Sequence, residues 1–163
     1  MRRHLHPQPV VDPRTKNSAG SPSSTSADVS ARMSRVPRRD TLPELAVRRR
    51  LHNRGLRYRV DTRPEPSIRR RADVVFRRER VAVFVDGCYW HGCPEHCRLS
   101  GANLAWWKSK IAANQARDHD TDARLEAAGW IVIRAWAHEA PEAVATRVEA
   151  AVRGRRGSIA VDD

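Results

Sequence analysis

Ala72-Asp73-Val74-Val75-Phe76 and Val81-Ala82-Val83-Phe84-Val85 are separated by the polar stretch Arg77-Arg78-Glu79-Arg80. Two short runs of β-branched and aromatic residues around one polar break predict a hairpin. Pairing across that loop sets Asp73 opposite Phe84 or Val85, so its carboxylate lies beside the carboxyl end of the second strand. An aspartate among Val74, Val75 and Phe76 is costly if buried unpaired, so it is expected to be solvated, hydrogen-bonded or bound to a cation. A strand-end aspartate facing water is the plain alternative. The second strand runs on into Asp86-Gly87-Cys88-Tyr89-Trp90-His91, which brings oxygen and imidazole ligands to the same edge.

On the amino-terminal side, Thr41-Leu42-Pro43-Glu44 has the N-cap and N3 chemistry of a capping box, and Gly55 sits where a C′ residue belongs. Residues 42–54 are therefore read as a helix. Leu56, Tyr58 and Val60 alternate with arginines, as in a half-buried strand. Arg63 to Arg71 holds two prolines and four arginines and reads as an exposed basic loop. On the carboxyl-terminal side, Trp107 to Ala128 is helix-forming with room for one break, and Gly129 closes it. Trp130 to Trp136 is apolar at nearly every position and predicts a central strand covered on both faces. Pro141 to Arg153 forms a last amphipathic helix. Helix, three strands, helix, strand, helix is an α/β order with a mixed sheet of about four strands.

The chain of 163 residues is enough for one domain whose core needs no disulfide staple. Lys and Arg number 31 against 19 Asp and Glu, a formal charge of +12 carried mostly by arginine. That excess favours a polyanionic partner through counterion release and forked contacts to phosphate. Three cysteines, no leader-like apolar segment and no apolar run near 18 residues disfavour secretion and membrane spanning; a cytoplasmic location is expected. Residues 1–32 are rich in Pro, Ser, Thr and charge and read as a disordered basic extension, with a basic arm that orders on DNA as the functional alternative.

Cys88-Tyr-Trp-His91-Gly-Cys93-Pro-Glu-His96-Cys97 packs five soft or borderline metal ligands into ten residues, a composition suited to tetrahedral zinc. A fourth ligand must come from within the run or from far along the chain, where His138 follows the last strand. Reduced, inert thiols are the alternative. Tyr89-Trp90 and Trp106-Trp107 are adjacent aromatic pairs beside basic segments, and one ring of each pair is expected to be exposed and available to stack on bases. Covering the metal loop is the competing role for these rings. Glu44 has a ready structural role in the cap, and Arg48-Arg49-Arg50 and Arg69-Arg70-Arg71 can equally be solvated faces.

From Met33 to about Arg153 the sequence resembles the very short patch repair (Vsr) DNA mismatch endonucleases. The resemblance rests on Met33-Ser34-Arg35, Arg39-Asp40-Thr41, Pro43-Glu44-Leu45, the run from Gly55 to Val60, Ala72 to Phe76, Trp107, Asn114, Arg117-Asp118 and Gly129-Trp130. Above all it rests on Val83 to His96, which contains Asp86-Gly87-Cys88-Tyr89-Trp90-His91-Gly92-Cys93-Pro94-Glu95-His96. It implies a restriction-endonuclease-like core with a structural zinc loop over residues 33–153; residues 154–163, beyond the resemblance, are expected to be a flexible tail. It also implies magnesium-dependent nicking on the 5′ side of the thymine in T:G mismatches that arise by 5-methylcytosine deamination. Carried over by position, Asp73 becomes a magnesium ligand together with the carbonyl of Val85, His91 a catalytic histidine and Glu44 its supporting carboxylate. Asp86 stands where relatives have histidine or aspartate, and is carried as a further catalytic candidate. Cys88, Cys93, His96 and His138 fall on zinc positions, with Cys97 as an alternative to His96. Met33, Val36, Tyr89 and Trp90 match residues that wedge into DNA beside the mismatch, and Trp107 joins them as an aromatic candidate. Double-stranded DNA is the implied partner of a monomer, with mismatch-repair proteins as further candidates. Ala72 stands where the family has proline, and arginines replace the Gly-Arg before it. A non-catalytic zinc module that binds DNA, or a nuclease of the same fold with another mismatch choice, are the competing readings.

Overall fold

The computed structural model describes residues 39–99 and 103–161. Helix α1 (Leu42–Asn53) is followed by strands β1 (Arg59–Thr62), β2 (Ala72–Phe76) and β3 (Val81–Asp86). Helix α2 (Leu104–Ala127), strand β4 (Ile131–Trp136) and helix α3 (Pro141–Val161) complete the order. The strands form one mixed sheet in the order β1-β2-β3-β4, antiparallel between β1, β2 and β3 and parallel between β3 and β4. The α/β class and the four-stranded mixed sheet agree with the sequence reading.

Local chemistry sets the helix ends. At the start of α1, Glu44 accepts the backbone N–H of Asp40 at 2.9 Å and the hydroxyl of Thr41 at 2.8 Å. The expected box is thus displaced by one residue, with Thr41 bonded to the carboxylate and not to a backbone N–H. Two helices close in the same way. Gly55 and Gly129 both have positive φ (74° and 81°). Their N–H groups donate to His52 and Glu126, and the next residues, Leu56 and Trp130, donate back to Leu51 and Leu125. These are Schellman closures, each with an apolar contact across it.

Alternation along the strands gives the sheet two apolar faces. Val74, Phe76, Val81, Val83 and Ala135 pack with Val47 and Leu51 of α1 and Val144, Val148 and Val152 of α3. Val75, Ala82 and Phe84 pack on the opposite face with Leu125 of α2, Trp130 and Ile68. Leu51 and Leu125 are fully buried; truncating either to alanine would cost about 2–5 kcal/mol. Val74 pairs with Val83 and Val75 with Ala82, so by parity Asp73, Phe84 and Asp86 all project on the α2 face.

Several expectations are corrected. Strand β4 is an edge of the sheet and half-buried at most positions; its apolar sequence reflects cover from both helix layers, not strand neighbours on both sides. β3 extends to Asp86, one residue beyond the run from Val81 to Val85 read as the second strand. Val60 is exposed, which breaks the alternation read there. The loop from Arg63 to Arg71 is exposed only in part, because Pro64 and Ile68 are buried and Glu65 accepts the indole N–H of Trp130 at 2.7 Å. Helix α2 is unbroken and starts at Leu104. Helix α3 continues to Val161 through the stretch expected to be a flexible tail; Arg155 bonds the carbonyl of Gly129, and Arg156 pairs with Glu79. Among the described residues no helix is long and apolar enough to cross a membrane.

Candidate active site and metal cluster

An open cleft of about 510 Å³ lies where the start of β2, the end of β3, the first turn of α1 and the inner face of α2 converge. Asp73 forms its floor. One oxygen accepts the N–H of Val85 at 2.7 Å. A strand residue directs its N–H and C=O to the same edge, and the β2–β3 register ends at Val74↔Val83. The carbonyl of Val85 therefore points to the side on which Asp73 stands. Burial pushes Asp73 up to about 6; the Val85 hydrogen bond opposes the shift, and the nearby charges of Glu44 and Asp86 add to it. Glu44 lines the same cleft and is held by Arg48 at 3.1 Å.

His91 comes from the loop after β3. Its Nδ1 lies 2.6 Å from Oδ2 of Asp118 on α2 and 3.5 Å from Asp86. Burial opposes the imidazolium, but the hydrogen bond to Asp118 and the charge of Asp86 outweigh it and raise the His91 pKa above its ordinary value. Arg134 of β4 reaches Asp86, Asp118 and Asp122 together. Burial alone would lower its pKa, yet hydrogen bonds to Asp122 and Asp86 keep the guanidinium more firmly protonated than usual. Arg70, Arg71 and Arg117 stand on the rim.

The loop after β3 also gathers a second cluster. One ligand atom each from Cys88, Cys93, His96 and His138 lies within 4.8 Å of all the others. Nδ1 of His138 is 3.2 Å from Sγ of Cys88 and 3.7 Å from Sγ of Cys93, which is 3.7 Å from Nδ1 of His96. Tetrahedral zinc places sulfur and nitrogen ligands about 3.5 Å apart, so the donor set and its spacing fit that ion. Cys97 stands outside this group, with its thiol 3.6 Å from the carbonyl of Tyr89.

The aromatic rings of this loop and of the first turn of α2 pack on one another. Trp107 contacts Tyr89, Trp90 and Trp106 at centroid distances of 5.1, 5.7 and 4.8 Å. All four rings are half-buried, which corrects the expectation of one exposed ring per pair. Tyr89 and Trp90 occupy a turn, where strand alternation does not separate neighbours, and their rings meet edge to face at 5.7 Å. Trp90 also lines the cleft. Helix α2 holds this loop through Asn114, which donates to the carbonyl of Trp90 at 2.7 Å, and Gln115, which donates to that of His91 at 3.1 Å.

The fold thus brings Glu44, Asp73, Val85, Asp86, Trp90 and His91 to one cleft, and Cys88, Cys93, His96 and His138 to one cluster. Met33 and Val36 lie outside the described residues. Sequence reading gave no role to Asp118 or Arg134. Both left a signal. Asn114, Arg117, Asp118, Thr121 and Asp122 recur at helical spacing on one face of α2, and Arg134 is a charge inside an apolar strand, which demands partners as Asp73 does.

Comparison with known proteins gives consistent relatives. The model of the family described as DNA mismatch endonuclease Vsr matches residues 23–99. The type II nicking enzyme V.NaeI of Lentzea aerocolonigenes is 40% identical over 120 residues, 72% of this chain and 72% of that protein. The type II nicking enzyme V.XorIIP of Xanthomonas oryzae pv. oryzae is 41% identical over 107 residues, 64% of this chain and 75% of its own length. The DNA mismatch endonuclease Vsr of Escherichia coli is 31% identical over 129 residues, 77% and 72% of the two chains.

Proposed function

The chain belongs to the Vsr family of DNA endonucleases, and from that premise we propose that it nicks double-stranded DNA on the 5′ side of the thymine in a T:G mismatch, with magnesium as cofactor. The observation that carries the reading is the meeting of Asp73 with the His91–Asp118 pair in one arginine-rimmed cleft. A half-buried carboxylate pushed up to about 6, beside a carbonyl oxygen, is a donor set suited to a hard cation. Asp73 and Val85 would hold that ion, which when bound supplies Lewis-acid polarisation of the scissile phosphate.

The chain's own groups do the rest. Asp118 fixes Nδ1 of His91, which leaves Nε2 to take a proton from the attacking water. Glu44, tied to Asp40, Thr41 and Arg48, keeps the acidic wall of the cleft rigid. Asp86 is engaged by Arg134 through both oxygens, so it acts on His91 as a fixed charge and not as a free base. Arg70, Arg71 and Arg117 neutralise phosphates on either side of the cut, a contact that positions DNA without reading its sequence. Trp90, backed by Tyr89 and Trp107, wedges at a base step that the wobble pair has already weakened. Met33 and Val36 join that wedge by resemblance. Zinc held by Cys88, Cys93, His96 and His138 would lock the loop that carries both Trp90 and His91.

Asp73→Asn and His91→Ala test this reading on a T:G duplex in magnesium buffer. Nicking should fall by about 100-fold or more in each, with duplex affinity within about threefold of wild type. Near-wild-type nicking by Asp73→Asn would reject the metal assignment.

A further inference from the structure

Each of the three nitrogens of the Arg134 guanidinium meets a different carboxylate. Nη1 donates to both oxygens of Asp86 at 2.8 Å, and Nε donates to Asp122 at 2.8 and 3.1 Å. Nη2 stands 3.4 Å from Oδ1 of Asp118. The group also lies 4.7 Å from the centre of the Phe84 ring, the residue directly opposite it in the β3–β4 register. A planar fork held on so many sides has one orientation.

The consequence lies in what the carboxylates do with their remaining oxygens. Asp118 turns Oδ1 to Arg134 and Oδ2 to Nδ1 of His91. Asp86, the other carboxylate near that nitrogen at 3.5 Å, is held by the same arginine. Without it, Asp86 would be free to compete with Asp118 for Nδ1, and the imidazole would have two resting orientations. Asp86 and Asp118 would also add unbalanced negative charge to a cleft that already contains Asp73 and Glu44 and must admit a phosphate.

We propose that Arg134 is a positioning residue of the nicking site: by tethering Asp86 and Asp118 it fixes His91 in the single orientation that leaves Nε2 free. This rests on His91 as the proton acceptor, so His91→Ala is run alongside.

The experiment measures the single-turnover nicking rate on a T:G duplex with magnesium and, separately, duplex affinity and melting temperature. Arg134→Met should slow nicking about 100-fold and change affinity less than about threefold. Arg134→Lys should recover only part of the rate, because one ammonium cannot hold both carboxylates. Asp118→Asn should slow nicking similarly, and the double variant with Arg134→Met should be no slower than the slower single one, because both act through one imidazole. A rate for Arg134→Met near wild type, or losses that multiply in the double variant, overturns the proposal. If Arg134→Met does not fold, Asp122→Asn loosens the same guanidinium from its outer side. It should slow nicking severalfold at an unchanged melting temperature, and an unchanged rate overturns the proposal too. If His91→Ala nicks at the wild-type rate, the reading of His91 fails and this inference falls with it.

Discussion

Asp73 joins burial, charge and the proposed reaction in one side chain. With its folded value pushed up to about 6 and an unfolded value of about 3.9, the native state binds more protons than the unfolded chain between those limits. Ionised Asp73 therefore costs stability above pH 6, and the cost disappears as pH falls through 6 towards 4. Two units correspond to about 3 kcal/mol at most. In metal-free protein at pH 7.5, Asp73→Asn should raise the melting temperature, and the gain should shrink at pH 5. Magnesium at pH 7.5 should raise the melting temperature of the wild type and not of the variant; a destabilised Asp73→Asn at that pH would contradict the account. Asp73 was legible in the sequence because it is an isolated carboxylate in an apolar run. Arg134 is its counterpart in β4 but was passed over, since its partners Asp118 and Asp122 sit on a helix whose packing the sequence does not specify.

At the scale of elements, the hairpin and the Gly55 and Gly129 closures were readable because local chemistry decides them. The edge position of β4 was not, because an apolar strand covered by helices on both faces has the same composition at the edge or the centre of a sheet. The loop after β3 was legible as a ligand cluster, but not as something clamped to α2. Gly92 marks that clamp: its φ is +69°, and a Cβ there would stand 2.7 Å from both Ile111 and Gln115. Gly92→Ala should cost about 1–3 kcal/mol and slow nicking, although every cleft residue remains; unchanged melting and rate would show that the loop can shift freely. In the same loop, a strong chelator should lower the melting temperature and Cys88→Ser should melt early, as expected of a closed structural site. Less than about a tenth of a zinc per purified chain would argue for plain thiols.

Over the whole molecule, a net charge of +12 would provide affinity for any duplex, while the proposal assigns the discrimination to Trp90 at the cleft, in contact with Trp107. Trp90→Ala should lose about 1–3 kcal/mol on a mismatched duplex and much less on a fully paired one. Higher salt should weaken both complexes by similar factors. If the ring only covers the metal loop, the variant would melt lower and weaken both duplexes equally. The central claim concerns the cut itself, and mapping it tests that claim most directly. Two end-labelled duplexes that differ only in carrying T:G or T:A are incubated with the protein and magnesium, and the products are resolved at single-nucleotide length. The account predicts one nick immediately 5′ of the mismatched thymine and none in the paired duplex. Equal cutting of both duplexes, or no cutting of the T:G strand when magnesium is present, would contradict it.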